Sequence, residues 1–175
     1  MRITFLAFVV LILFGSPYGA PPTTPFSLAI VPTTSLREGG GITMAHNAPE
    51  EFYVVLKNIS GVPQAVWETS NSWGFQTISF EFVTADGTKT VVSQREQIFT
   101  ANVPSTFIIQ PGEQQVYPIR LDKSWLTHPT LRNADEMPIS VKAVYEVPPT
   151  PEAAQQKVWT GRLESRSYSF VLRQW

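Results

Sequence analysis

Alternation of apolar and polar residues is the dominant pattern of this chain. In residues 50–60, EEFYVVLKNIS, every second side chain is apolar and the run ends in an Asn-Ile-Ser-Gly turn. Residues 77–84 repeat the alternation, and the Asp86–Gly87 dipeptide after them favours a tight hairpin because glycine tolerates positive φ. Side chains two residues apart lie on one face of a strand, so both runs predict β-strands with a single buried face. The predicted inward-facing residues are Phe52, Val54, Leu56, Ile78, Phe80 and Phe82, and Thr77, Ser79 and Glu81 are predicted on the opposite face of the second strand.

The same alternation recurs along the rest of the chain and predicts about 7–9 strands. No periodic segment is long enough for the crossover helix of a parallel βαβ unit, and residues 152–156 are expected to form a single helical turn. The closing stretch, residues 159–175, is predicted as one long strand or two short ones. Pro118 lacks a backbone N–H, so its strand is placed at a sheet edge or a bulge. The predicted fold class is therefore all-β, a sandwich of packed antiparallel sheets.

The first 20 residues carry the features of an export signal. Arg2 provides a positive start, residues 3–14 are apolar, and small residues follow near the predicted cleavage site. As a helix the apolar run would be about 18 Å long, which is short for a bilayer span. We therefore predict a signal peptide at residues 1–20, a proline-rich linker at 21–25 and one domain at 26–175, with a secreted or periplasmic location. An uncleaved N-terminal anchor is the alternative.

Composition narrows the class of protein and of partner. Charged residues make up 15% of the chain and the net charge is −1, so there is no basic surplus to neutralise the phosphates of a nucleic acid. The chain contains no cysteine, which excludes disulfides and a lipid-modified cysteine anchor. A secreted domain without disulfides must be stable through its core alone, which favours a bacterial exported protein.

Two segments resemble bacterial immunoglobulin-like domains. FYVVLKNISGVPQAV is similar to a strand and Leu-Lys-Asn turn common in such modules, and FIIQPGEQQVYPIRL looks like their Pro-Gly-Glu hairpin. The pattern over residues 50–147 also resembles, more distantly, a small bacterial proteinase-inhibitor family of the same fold, known as BsuPI. The resemblance implies a secreted immunoglobulin-like β-sandwich with Tyr145 in the role of the tyrosine corner.

No catalytic, cofactor-binding or metal-binding residues are predicted, and we expect no enzyme activity. The two histidines, His46 and His128, fall in predicted loops without the fixed spacing of a metal motif. His46 with Glu50 and Glu51 is a conceivable three-ligand site, but solvated loop residues are the simpler interpretation.

Aromatic residues form the predicted binding site. Trp67, Trp73 and Phe75 lie close together in a polar context, and Trp159 lies at a predicted strand margin. Tryptophans at loop ends stack on sugars or anchor protein partners, but they also close the open ends of a sandwich. The sequence leaves both uses open for each of these side chains.

Three functions fit these observations. The preferred hypothesis is an exported, non-enzymatic immunoglobulin-like module that binds or scaffolds other proteins. The second is a protease inhibitor that presents a loop near residues 70–76, and the third is a carbohydrate-binding module that uses exposed tryptophans. The expected partner is a protein or a cell-surface glycan, with no nucleic acid and no cofactor. Membrane contact is expected only through an uncleaved N-terminal segment.

Overall fold

The computed structural model describes residues 24–32, 51–126 and 136–173. The predicted signal peptide, most of the predicted linker, His46, Glu50 and His128 lie outside these ranges, so what the sequence indicates for them stays a prediction. The elements run in the order β1 Phe26–Pro32, β2 Glu51–Asn58, β3 Gln64–Trp67, α1 Ser72–Phe75, β4 Ile78–Thr84, β5 Lys89–Gln94, β6 Thr106–Ile109, β7 Gln114–Arg120, β8 Trp125–Leu126, β9 Glu136–Val147, α2 Pro151–Gln155, β10 Gly161–Glu164 and β11 Tyr168–Arg173.

Every pair of these strands is antiparallel, which confirms the all-β fold class. The described residues contain 11 strands, more than the 7–9 expected. Two of the additional strands, β3 and β8, have four and two residues, so they are too short to show a period of two in the sequence. The closing stretch forms two strands, β10 and β11, and both pair with the long strand β9.

The strands form three sheets. One has the order β1-β2-β7, and a two-stranded sheet contains β3 and β6. The largest has the order β10-β9-β4-β5-β8, with β11 beside the other half of β9. Within the described residues β7 pairs only with β2, so Pro118 lies on an edge strand as its missing donor predicts.

The inner faces of the three-stranded and six-stranded sheets share one hydrophobic core. The ring of Phe52, on β2, lies 5.4 Å from that of Phe80 on β4 and 6.2 Å from that of Phe170 on β11. Trp125 on β8 adds a further ring, 5.4 Å from Phe80. The alternation in β2 and β4 therefore has the predicted register, with Phe52, Val54, Leu56, Phe80 and Phe82 at most 1% exposed.

The prediction that Thr77 faces away from the core is wrong. Thr77 precedes β4 and is 5% exposed, and its hydroxyl donates a hydrogen bond of 2.9 Å to the carbonyl oxygen of Gly74. Strand alternation does not extend to this residue, because the chain there leaves α1 and its polar groups bond to the helix end.

The hairpin between β4 and β5 is closed by an aspartate. Gly87 has a φ of +84°, as the Asp86–Gly87 dipeptide predicts. The Asp86 carboxylate accepts hydrogen bonds from the hydroxyl of Thr84 and, at 2.9 Å, from the backbone N–H of Thr88. These bonds, the Thr84 hydroxyl first, lower the pKa of Asp86 to about 2.

Removing the central aromatic ring tests the packing between sheets. We expect Phe80→Ala to lower the free energy of unfolding by about 3–5 kcal/mol, because Phe80 is fully buried and contacts rings from two other strands. Val91→Ala is the control, since Val91 is 52% exposed on β5, and its loss is expected below about 1 kcal/mol. Urea denaturation measures both, and equal losses would contradict the assigned core.

Asp86 makes the stability of the fold depend on pH, and the direction of its pKa shift fixes the sign of that dependence. The pKa of Asp86 in the folded protein is below its ordinary value of 3.8, so the ionised carboxylate stabilises the fold above about pH 4. That contribution is lost as the pH falls from about 4 to about 2. We expect Asp86→Asn to flatten the pH dependence of the denaturation midpoint in this window. A carboxyl titration of Asp86 by NMR with a midpoint near its ordinary value would contradict the assignment.

Candidate functional site

The single-turn helix α1 lies at the centre of the sequence-predicted aromatic site and begins at an asparagine cap. The side-chain oxygen of Asn71 accepts hydrogen bonds from the backbone N–H groups of Trp73 and Gly74, at 3.1 and 3.0 Å. Asparagine is a preferred N-cap because its short side chain satisfies donors that have no partner within the helix. The residues of the predicted loop 70–76 thus form a capped helical turn rather than an extended loop.

Long-range hydrogen bonds attach α1 to the segment between β5 and β6, residues 95–105, which we call the 95–105 loop. The amide of Asn71, 3% exposed, donates to the carbonyl and the hydroxyl oxygens of Ser105 at 3.0 and 3.1 Å. Ser72 and Asn102 exchange two further bonds, one from each residue. Both segments are therefore held in one relative position by bonds between residues 30 or more positions apart.

Gly74 sets how closely the α1 turn approaches β3. A Cβ atom at this position would lie 2.1 Å from the carbonyl oxygen of Glu68 and 2.9 Å from the Cβ of Trp67. No side chain fits at these distances, so the tight return of the chain depends on glycine.

Two of the predicted binding residues, Trp67 and Trp73, contact each other at the inner side of α1. Their ring centroids are 5.8 Å apart. Trp67 is 2% exposed and belongs to the core, so of the two uses that the sequence leaves open for this side chain it has the structural one. Trp73 is half-buried and packs against the same core. The neighbours of Trp73, namely Asn71, Ser72 and Gly74, are turn formers, and the chain does turn there, but the ring packs inward against Trp67.

Trp159 lies in a different environment. Its ring stacks on Tyr145 at 6.0 Å and meets the edge of Phe26 at 5.6 Å. It is half-buried and packs against the core, and its ring contacts are with Tyr145 and Phe26.

Phe75 is half-buried, as Trp73 and Trp159 are, and it pairs with an aromatic residue that sequence reasoning missed. Its ring lies 5.4 Å from that of Phe99, edge to face. The pair borders a depression of about 350 Å³ between α1 and the 95–105 loop. The depression is lined by Thr69, Ser70, Phe75, Gln97, Ile98, Phe99, Thr100 and Ala101.

The 95–105 loop also carries the most exposed large hydrophobic side chain of the described residues. Ile98 is 91% exposed and Val103 is 69% exposed, on either side of half-buried Phe99. The sequence signal is an Ile-Phe pair between polar residues in a stretch without alternation, and it is weak because no period distinguishes it from a surface loop.

A second cavity, of about 240 Å³, lies on the inner side of Phe75 and is lined in part by Tyr117, Thr77, Gln94 and Trp125. The hydroxyls of Tyr117 and Tyr145 are buried near each other, neither makes a hydrogen bond of ordinary geometry with a described residue, and their rings lie 6.4 Å apart. Burial raises the pKa of both tyrosines, so both are neutral near pH 7.

Tyr145 does not match the tyrosine corner that the resemblance implies. Tyr145 lies near the end of β9, whereas the tyrosine corner lies near the start of its strand and bonds to backbone.

The described polar side chains around α1 form hydrogen bonds with one another and with the backbone. Glu68 accepts the hydroxyl hydrogen of Ser105 at 2.7 Å, which uses its carboxylate for structure. Across the described ranges there is no cluster of three His, Cys, Asp or Glu side chains that would hold a metal ion. In those ranges, too, none of the helices has the length and apolar character needed to cross a membrane. The site therefore consists of three large apolar side chains, Phe75, Ile98 and Phe99, among polar lining residues on a hydrogen-bonded scaffold.

Substitution of the glycine tests the close approach of α1. We expect Gly74→Ala to lower the free energy of unfolding by about 1–3 kcal/mol, because the added methyl group overlaps backbone atoms of Glu68. Gly61→Ala is the matched control, since a Cβ there meets nothing within 4 Å, and it is expected to stay within about 0.5 kcal/mol of wild type. Thermal and urea denaturation compare the two variants, and equal stability would contradict the contact.

Comparison with known proteins gives little further information. No family model and no curated protein sequence matches the chain. Among solved structures, the crystal structure of Spo0M, a sporulation control protein from Bacillus subtilis, is similar over 86% of this chain, with 14% sequence identity and a TM-score of 0.35. The similar region spans 49% of that protein's chain.

Proposed function

We propose that this protein is an exported, non-enzymatic immunoglobulin-like module that binds another protein through the 95–105 loop and the adjoining side of α1. The observation that carries the proposal is the exposure of Ile98, 91%, on a loop whose position is fixed by hydrogen bonds to α1. A large apolar side chain held out in solvent costs free energy, and burial in a partner's pocket recovers about 1.5–3 kcal/mol.

The order of the strands supports the immunoglobulin-like part of the proposal. In immunoglobulin domains strands A, B and E share one sheet, and strands C, F and G share the other, with C′ added beside C in variable-type domains. Here β1-β2-β7 correspond to A-B-E, and β5-β4-β9 correspond to C′-C-F. The broken strand made of β10 and β11 takes the place of G beside β9.

The rigidity of the site supports protein binding in particular. The bonds to Asn71 and Ser72 hold one end of the 95–105 loop, and Arg95 at the other end donates to the carbonyl oxygens of Ser124 and Lys123. Fixed loops lose less conformational entropy on binding, so more of the contact energy appears as affinity. The Phe75–Phe99 pair beside Ile98 provides the aromatic surroundings that are common at the centre of protein interfaces.

The two alternatives have less support. A carbohydrate platform needs exposed tryptophans, but Trp67 and Trp125 are 2% exposed and Trp73 and Trp159 pack against the core. A protease-inhibitory loop near residues 70–76 needs an extended, accessible backbone, whereas those residues form a capped turn with Gly74 buried. Export rests on residues 1–20 alone and is part of the proposal.

Site-specific photo-cross-linking tests the proposed surface. A photoreactive amino acid at position 98 is expected to form a discrete cross-linked product in the native envelope, and the same residue at position 59 is expected to form none. Ile59 is a suitable control because it is also an exposed isoleucine outside regular structure, 42% exposed.

Point variants then test the energetics. Ile98→Ser is expected to reduce capture of the cross-linked protein about tenfold or more, while Ile59→Ser leaves it unchanged. Both variants should keep the wild-type denaturation midpoint, since both side chains are exposed. Unchanged capture by a folded Ile98→Ser protein would refute this site.

A further inference from the structure

The outer face of the three-stranded sheet, the face turned away from the core, has a banded surface. Its side chains form four rows across the strands: Ser27, Lys57 and Gln114; Ala29, Val55 and Val116; Val31, Tyr53 and Pro118; and Glu51 and Arg120. The two central rows are apolar except for the tyrosine hydroxyl, and the two outer rows are polar or charged. An apolar centre between polar margins is the usual composition of a protein interface.

The apolar rows are accessible. Val31 is 42% exposed and Val116 is 40% exposed, while Val55 and Tyr53 are half-buried by their neighbours on the sheet. The face contains a shallow depression of about 450 Å³ whose floor includes Ala29 and Val55. A contiguous apolar area of this kind on a folded domain marks an interaction surface.

The outer face of the six-stranded sheet is different in kind. There Arg162 forms ion pairs with Glu81, Glu146 and Glu164 at 2.9, 2.8 and 3.2 Å. Lys89 adds a further pair to Glu81 at 2.7 Å. Charges that satisfy one another in water gain little from a partner, so this face is suited to solvent. Of the two outer faces, that of the three-stranded sheet is therefore the one suited to association with another molecule.

We propose that the outer face of the three-stranded sheet binds the same face of a second copy of the chain, with β2 of the two copies antiparallel. The twofold axis lies midway between the two facing sheets and runs parallel to their planes. It is perpendicular to the strands and level with Val54. This operation places each row opposite a different row of the partner. The first row meets the fourth, and the second row meets the third.

Charge complementarity selects this arrangement. Lys57, which has no ion pair among the described residues, comes opposite the Glu51 carboxylate of the other copy. That carboxylate already lies 3.7 Å from Arg120 and accepts the hydroxyl hydrogen of Tyr53 at 3.1 Å, so Lys57 adds a second base to an existing network. The arrangement also brings Arg120 opposite Gln114, whose amide oxygen accepts a hydrogen bond. With parallel strands Lys57 would face Lys57, which is repulsive.

In the same arrangement, the side chains that face each other across the two copies are complementary in size. Tyr53 is the largest side chain of the apolar rows and comes opposite Val55 and the depression beside Ala29. A twofold rotation exchanges the two copies, so each contact between different residues occurs twice, as in any isologous interface. Large side chains facing small ones across two sheets allow the sheets to approach to the usual separation of about 10 Å.

Sedimentation equilibrium tests the dimer, with protein expressed from the full-length sequence and purified in the form that the host yields. We expect a monomer–dimer equilibrium whose dissociation constant rises about tenfold or more in Val55→Glu and in Val116→Glu. Val91→Glu, at an exposed valine on β5, is the matched control and should dimerise as wild type does. Circular dichroism melts verify that each variant is folded.

Each outcome decides the proposal. A wild type that stays monomeric up to its solubility limit refutes it, and so does a dimer that folded Val55→Glu and Val116→Glu proteins leave intact. In the second case the copies associate elsewhere, for example at a strand edge.

Cross-linking distinguishes the two strand directions, and the absence of cysteine in the wild type makes it unambiguous. In the antiparallel arrangement, positions 57 and 51 of different copies are close, whereas two positions 57 lie about 20 Å apart along the strand direction. A short bismaleimide should therefore link a mixture of Lys57→Cys and Glu51→Cys proteins and leave Lys57→Cys alone unlinked. Efficient linking of Lys57→Cys to itself would overturn the antiparallel arrangement.

Discussion

The contact between the rings of Phe52 and Phe80 joins the two principal sheets, and most of the structure depends on it. Each sheet has a second face in water, so neither is stable unless its apolar face is covered by the other. The chain has no disulfide to limit its unfolded state, so its stability comes from noncovalent contacts, and such packing is the main apolar part of them. This requirement explains why the aromatic residues are mostly inward, including tryptophans that border loops.

The α1 turn shows how a surface feature is built on that core. Trp67 and Trp73 extend the core to the end of the sheets, and Gly74 lets the chain return closely over them. The side chain of Asn71 has two roles. Its oxygen caps the helix by accepting backbone hydrogen bonds, and its nitrogen donates a hydrogen bond to the 95–105 loop. The 95–105 loop, which carries Ile98, is therefore positioned by polar groups that form their hydrogen bonds within the fold.

The sequence predicts those parts of the fold that follow from local periodicity. The strands β2 and β4, the glycine of the hairpin after β4 and the edge position of Pro118 are all found where the residues indicate. It fails where the decisive contact is distant along the chain. Nothing near Asn71 specifies a bond to Ser105, and the turn formers around Trp73 do not reveal that its ring packs on Trp67. Thr77 fails for a different, local reason, because its hydroxyl bonds to the carbonyl oxygen of Gly74 three residues earlier.

Pro118 has a consequence beyond its own strand. An open sheet edge invites another chain to add as a further strand, and each addition exposes a new edge, so growth along an edge has no natural end. Proline removes one donor from the middle of β7 and weakens pairing there. A face related by a twofold axis behaves differently, because the second copy covers the very surface it recognises. With one edge weakened and one face apolar, self-association of this domain is directed towards a closed pair and away from a fibre.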